Sequence, residues 1–485
     1  MRNRNVILLL SLIAVLSVGC GRTDYRPVGE RTDRTSIMFP DYQEVTIPCN
    51  IAPLNFYYTD PDLKKVVTTF SSGDISVRFK GREVVWKEKA WKRLLSAALG
   101  SEINVVSSLR AGSVGEIKWT IHVSPDKIDP YLTYRLIEPG FEVWDDLEIV
   151  ERHLESFDSK PISDWRHTAN KCMNCHIHSQ ARGDLSMFYL RGEGGGAILN
   201  RNGILRKLTL RDSSMISPTV YGEIHPSGRF GVFSTNIIIP GMHSFGNRRM
   251  EVFDTASDLC VADFDNNEMM TFPATSRQDV FETFPVFSAD GNYVYYCAAP
   301  VRPVPSEIEK LMYSLVRVPF DVETGALGAP ADTVWSASER GLSVCHPKAS
   351  PDGRWLLFTV ADYGTFPINH RECDLRMIDL GTGKILELED VNAAGSDTYH
   401  SWSSNSKWFV FASKRGDGMF GKPWFSHVSE DGSAAKPFLL PQKDPHFYDN
   451  MLRSFNVPDL GNSSVGFDAE EIGRVWREVP AEDFN

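Results

Sequence analysis

One stretch of this 485-residue chain has the spacing for cofactor chemistry. Lys171-Cys172-Met173-Asn174-Cys175-His176 contains C-x-x-C-H, the attachment pattern of c-type haem. Two thiols so spaced can each add to a vinyl group of one porphyrin, and the next residue then offers its imidazole to the iron. The sequence predicts haem c on Cys172 and Cys175, with His176 as axial ligand. Other chemistries fit the same residues. The cysteines could form a redox-active disulfide. They could bind zinc with His176 and either His178 or His167. They could also be a relic that holds nothing. For a haem, His167, Met187 and His225 are the nearest candidate sixth ligands, and five-coordinate iron is the alternative. His178 is too near His176 along the chain to reach the opposite face of the same iron easily.

The start of the chain fixes the compartment expected. Arg2 and Arg4 precede an apolar run, Val6 to Val18, which ends in Gly19-Cys20. This resembles a bacterial lipoprotein signal, with residues 1–19 removed and the Cys20 thiol lipidated. Residues 20–35 read as a polar tether. The resemblance implies a lipid-anchored protein of the cell envelope, periplasm-facing or surface-exposed, most simply on the outer membrane. Seven cysteines then remain, an odd number at irregular spacing. That is no disulfide framework. Cys49, Cys260, Cys297, Cys345 and Cys373 read mainly as small buried apolar residues.

The elements that must position the motif are β-rich. Hydrophobic residues make up 42% and charged ones 24%, an ordinary globular composition. The 51 basic and 63 acidic residues give a formal charge of −12, which argues against nucleic acid as a partner. One apolar run is too few for a multi-span membrane protein. Residues 36–150 read as a β-sandwich-like domain with a hairpin over 75–86 and a helix over 87–99. Its Trp86, Trp91, Trp119 and Trp144 read as buried aromatics. Residues 151–182 read as an ordered linker that carries C-x-x-C-H. The tail, 456–485, has one amphipathic helix near 468–479.

Residues 183–455 repeat. HPSGRFGVFS (225–234), SADGNYVYYC (288–297), SPDGRWLLFT (350–359) and SSNSKWFVFA (403–412) are each a turn followed by an aromatic-rich strand. A second marker follows each, a turn led by Asp254, Asp321, Asp379 or Ser429. Small sheets that cannot bury both faces alone pack radially, so the pattern predicts an all-β propeller. The turns resemble the TolB-like propeller repeat, whose S-P-D-G stands in full at Ser350-Pro351-Asp352-Gly353. Five blades are countable, and the resemblance implies six. Residues leading into the turns should face the central channel: Glu282, His346, Asp397, Tyr399 and His400. Bonds between neighbouring blades are the competing role for them.

The whole arrangement resembles propeller lipoproteins of the Bacteroides type with an embedded C-x-x-C-H segment. FPDYQEVTIPCNIAPLNF (39–56), KCMNCHIHS (171–179), FETFPVFSADG (281–291) and DTYHSWSSNSKWFVF (397–411) carry that resemblance. Two functions follow as expectations. One is electron transfer or redox sensing through a single c-type haem. The other is a non-enzymatic scaffold whose propeller mouth captures an envelope protein, peptide or glycan, with the cysteine pair structural or vestigial. No catalytic triad, phosphate loop or paired-carboxylate pattern argues for an enzyme.

Overall fold

Turn chemistry local to each repeat organises the larger part of the chain. In the computed structural model Ser350 Oγ donates to Asp352 Oδ1 at 2.6 Å and accepts from Trp355 N–H at 2.9 Å. Gly353 supplies the left-handed conformation, φ +72°, that closes the turn. Ser288 and Ser403 repeat the device with Asp290 and Asn405. Each turn joins an inner strand to a second strand of the same sheet. The structure describes residues 36–110, 114–139, 146–241, 243–245, 249–330 and 332–485. The signal, the tether, Cys20 and Trp144 lie outside them. Among the described residues no helix is long and apolar enough to cross a membrane.

Among the described residues the ring has six blades, antiparallel except where the short strand Glu482–Asp483 adds in parallel to blade 1. Blade 1 begins with Met173–Ser179, blade 2 with Thr219–Ile224, blade 3 with Val280–Phe287, blade 4 with Ser343–Ala349 and blade 5 with Asp397–Trp402. Blade 6 is assembled from two distant parts of the chain. Its inner strand is Ser454–Gly461, and its outer three are Tyr131–Ile137, Glu148–His153 and Ser159–Asp164. This pairing corrects the domain boundaries expected from sequence. Residues 131–164 belong to the propeller and not to the N-terminal domain. The 151–182 stretch is no linker, because it supplies the outer edge of blade 6 and the inner strand of blade 1. The 456–485 tail starts inside the closing strand, and its helix, Ala469–Glu478, packs on Ser159–Asp164. Asp468 caps that helix by accepting from Glu471 N–H.

Up to about residue 128 the chain forms the N-terminal domain. Its main sheet has five strands in the order Val45–Pro48, Val114–Ser124, Ser101–Arg110, Lys65–Ser72 and Ile75–Lys80. Residues 75–86 are not a hairpin, another correction. Ile75–Lys80 folds back on Lys65–Ser72 through Gly73, φ +53°, while Glu83–Val84 joins a second, three-stranded sheet. The helix Glu88–Ala97 buries Trp91, Leu94 and Leu95. Trp86, Trp91 and Trp119 are buried in an edge-on aromatic core with Phe56 and Phe70. That core is continuous with Trp408, Phe425 and Phe438 of blade 5.

Candidate functional site

Every inner strand breaks register near the same level. The shifts fall between Asn174 and Ile177, Thr219 and Gly222, Thr283 and Val286, Cys345 and Lys348, Thr398 and His400, and Asn456 and Asp459. Such bulges re-aim side chains. At four of them a non-glycine residue is held at positive φ: Phe284 (51°), His346 (51°), Tyr399 (46°) and Val457 (51°). Each costs on the order of 1–3 kcal/mol, a strain that concentrates at ligand sites. All four residues line one cavity of about 710 Å³ to which all six blades contribute. That volume lies within the rough 300–1,000 Å³ span of small-molecule sites.

One arc of the wall is an aromatic collar. Tyr221 packs on Phe284 (ring centroids 4.2 Å apart), Phe284 meets His346 edge-on (4.4 Å), and His346 stacks on Tyr399 (4.6 Å). The rest of the wall, a polar arc from His400 of blade 5 through blades 6 and 1, carries buried polar atoms without a hydrogen bond of normal geometry: both ring nitrogens of His176, His400 Nδ1, Asn456 Oδ1 and Arg135 Nε. An unsatisfied buried polar atom costs roughly 1–3 kcal/mol. Their gathering on one cavity makes it the candidate binding site.

The C-x-x-C-H motif runs along this arc. Cys172, half-buried, lines the cavity just before the inner strand of blade 1, and its carbonyl accepts from Arg191 N–H at 2.9 Å. Cys175 and His176 fall in the bulge; the Cys175 side chain is outside the described residues. His176 is 3% exposed. Burial lowers its pKa to about 4, offset by Asp459 and reinforced by His178 and Arg135. The Val457 backbone faces the ring and offsets the shift slightly, yet neither nitrogen makes a hydrogen bond of normal geometry. At neutral pH the imidazole is therefore uncharged, the state that ligates a metal.

The other sequence candidates separate cleanly. His346, Tyr399 and His400 line the cavity. Burial lowers the pKa of His346 and takes that of His400 to about 3. The candidate sixth ligands lie elsewhere. His167 Nδ1 is held by Asp164 at 2.7 Å on the outer edge of blade 6. Met187 is packed in the core between blades 1 and 2. His225 sits in the turn at the far end of its strand, bonded to Ser227 and the Gly291 carbonyl. His178 is turned to the Leu460 carbonyl (3.0 Å). His167 and His178 are both bonded through Nδ1, and neither lines the cavity with Cys172 and His176. Asp397 is buried in an ion pair with Arg415 (3.0 Å) and does not line the cavity.

The chain is similar in fold to TolB. Against TolB from Acinetobacter baumannii the identity is 11% and the TM-score 0.43, over 77% of this chain and 85% of that one. The periplasmic gluconolactonase of Pseudomonas aeruginosa gives 13% and 0.35, over 64% and 96%. An oligogalacturonate lyase from Vibrio parahaemolyticus gives 10% and 0.33, over 63% and 85%. No protein-family model and no curated protein matches the chain.

One cavity residue was misread in the sequence. Asp254 resembles the turn leaders Asp321 and Asp379, but in blade 2 that role falls to Asp263, which accepts from Asp265 and Asn266 N–H. A segment inserted between Phe230–Ile238 and Asp254–Asp263 put Asp254 in phase by coincidence. It lines the cavity, and burial pushes its carboxyl up to about 7 against the Asn236 amide.

Glu282 does not line the cavity. It is buried at the blade 2–3 seam, where its N–H donates to Ser257 Oγ and its Oε2 accepts from Arg277 N–H. Burial pushes its carboxyl from 4.5 up to about 8. A raised carboxyl favours the folded state at low pH and loses that benefit as pH climbs from 4.5 to 8. Glu282→Gln, which cannot titrate, should therefore gain on the wild type by at most about 4 kcal/mol across that window. Denaturant melts at pH 5 and pH 8.5 measure the gap. A pH-independent gap would contradict the assignment.

Proposed function

We propose that this protein is a lipid-anchored envelope propeller that carries one c-type haem in its central cavity and acts in electron transfer or redox sensing. His176 carries the reading. A buried, neutral imidazole with both nitrogens unpartnered opens onto the cavity beside Cys172 of the same motif. A haem would relieve that unsatisfied group, and the donor set matches its attachment chemistry.

Cys172 and Cys175 would hold the porphyrin and His176 its iron. Bound there, the haem supplies a one-electron redox centre. The chain's own contribution is enclosure. Tyr221, Phe284, His346 and Tyr399 form an apolar wall that keeps water off the group, and low polarity around a haem tunes its potential. The envelope location and the anchor at Cys20 rest on the signal-like start of the chain.

The collar also supports a second reading, a scaffold that stacks a partner's aromatic or sugar group. Haem staining of the denatured, mature chain separates the two. Covalent haem survives denaturation, so the wild type should stain and the Cys172→Ala, Cys175→Ala double variant should lose essentially all signal. An unstained wild type, made beside a c-type cytochrome that does stain, would leave the scaffold reading.

A further inference from the structure

The polar arc of the cavity contains a cation whose bonding is incomplete. Arg135 comes from the second strand of blade 6. Its Nη1 donates to the Met173 carbonyl at 3.2 Å, so the guanidinium crosses the seam to blade 1 and lies at the C-x-x-C-H strand. It lines the cavity, is partly buried, and leaves Nε buried with no hydrogen-bond partner. Among the described residues it makes no ion pair. A guanidinium is a permanent cation whose planar fork matches a carboxylate. Taking one partly out of water, with one neutral carbonyl as its bond, is costly unless an anion completes it. Elsewhere in the ring Arg376 pairs with Glu387 and Asp374, and Arg415 with Asp397, while the buried Arg152 bonds only the Phe157 and Pro441 carbonyls and does not line the cavity. What sets Arg135 apart from Arg152 is its place on the cavity wall, beside the unpartnered nitrogens of His176.

We infer that Arg135 is the anion anchor of the cavity and that its partner is a carboxylate of the ligand. This rests on the haem reading for the identity of that ligand, since haem carries two carboxylates. Arg191 flanks the other side of the motif, where its Nε donates to Asn174 Oδ1 at 3.0 Å and its side chain also lines the cavity. Charge-assisted bonds from such forks are short and roughly twice as strong as neutral ones.

The test uses the mature, haem-loaded full chain, with haem per chain counted by the pyridine haemochrome. Resonance Raman bands of the haem carboxylate bending modes report their hydrogen bonding. Arg135→Gln should shift a bending band to lower frequency while haem stays at one per chain. Arg135→Lys, which keeps the charge and loses the fork, should shift it part-way and guards against a folding defect. Bands unchanged in both variants would overturn the anchor and leave the haem reading intact. Titration with acetate is the second arm. A spectral response in the wild type that vanishes in Arg135→Gln would mean the site takes a free carboxylate, which overturns assignment to the cofactor. A chain without covalent haem would overturn both readings together.

Discussion

A chain ending at residue 453 is expected not to fold. The strand Ser454–Gly461 is the inner strand of blade 6, and pairs with Tyr131–Ile137 and with no other strand of that sheet. Removing it opens the ring between blades 5 and 6. Phe455 and Leu460 leave the core. His178 N–H loses the Asp459 carboxylate, and His178 Nδ1 loses the Leu460 carbonyl. The truncation also deletes the helix Ala469–Glu478, which covers blade 6 with Ile472 and Val475, and the Glu482–Asp483 strand that extends blade 1. A propeller relies on radial closure to protect its strand edges. The truncated chain should be insoluble, or soluble without a cooperative thermal transition. A monomer with native near-ultraviolet circular dichroism would show that the ring does not need this clasp.

Trp408→Ala is expected to destabilise the protein by about 3–5 kcal/mol, the usual cost of emptying a large buried aromatic site. Trp408 is fully buried where blade 5 meets the N-terminal domain. Its Nε1–H donates to the Asp126 carbonyl at 3.1 Å, and its ring packs on His427 and Phe438. The surrounding seam is polar and well satisfied. Asp129 accepts from Ser404 N–H and Oγ–H at 2.6 Å each, and Asn405 Nδ2 donates to the Lys127 carbonyl. Those bonds hold the walls apart, so little collapse into the vacated space is expected. The midpoint of denaturant unfolding checks this. A loss below about 1 kcal/mol would mean the two bodies are held mainly by the polar seam.

Legibility in the sequence followed the distance over which each signal is written. The Ser-led turns are six-residue devices, Ser-x-Asp-Gly at Ser288 and Ser350 and Ser-Ser-Asn-Ser at Ser403, so these three announced three blades directly. Blade 6 had no such announcement, because its inner strand is separated by more than three hundred positions from Tyr131–Ile137. Pairing across that gap is set by ring closure and leaves no local pattern. The same blindness made residues 151–182 look like a linker. The hairpin expected at 75–86 failed because alternation gives strands without their partners.

The candidate site was half legible. C-x-x-C-H is a covalent spacing and stood out by itself. That it shares a cavity with His346, Tyr399 and His400 depends on the bulges, which one strand alone does not reveal. A weak signal was there: Phe284-Pro285, His346-Pro347 and Val457-Pro458 put a proline at the same level of three inner strands, where it cannot serve the ladder. Arg135 lay in what looked like another domain, and Asn456 in what looked like a tail.

The most direct test of the central claim is the absorption spectrum of the mature protein, made in cells that assemble c-type cytochromes. The account predicts a Soret band and a pyridine haemochrome of about one haem per chain, with the haem's mass on the tryptic peptide that contains Cys172 and Cys175. A correctly folded chain with no Soret band, and with that peptide at its unmodified mass, would contradict it.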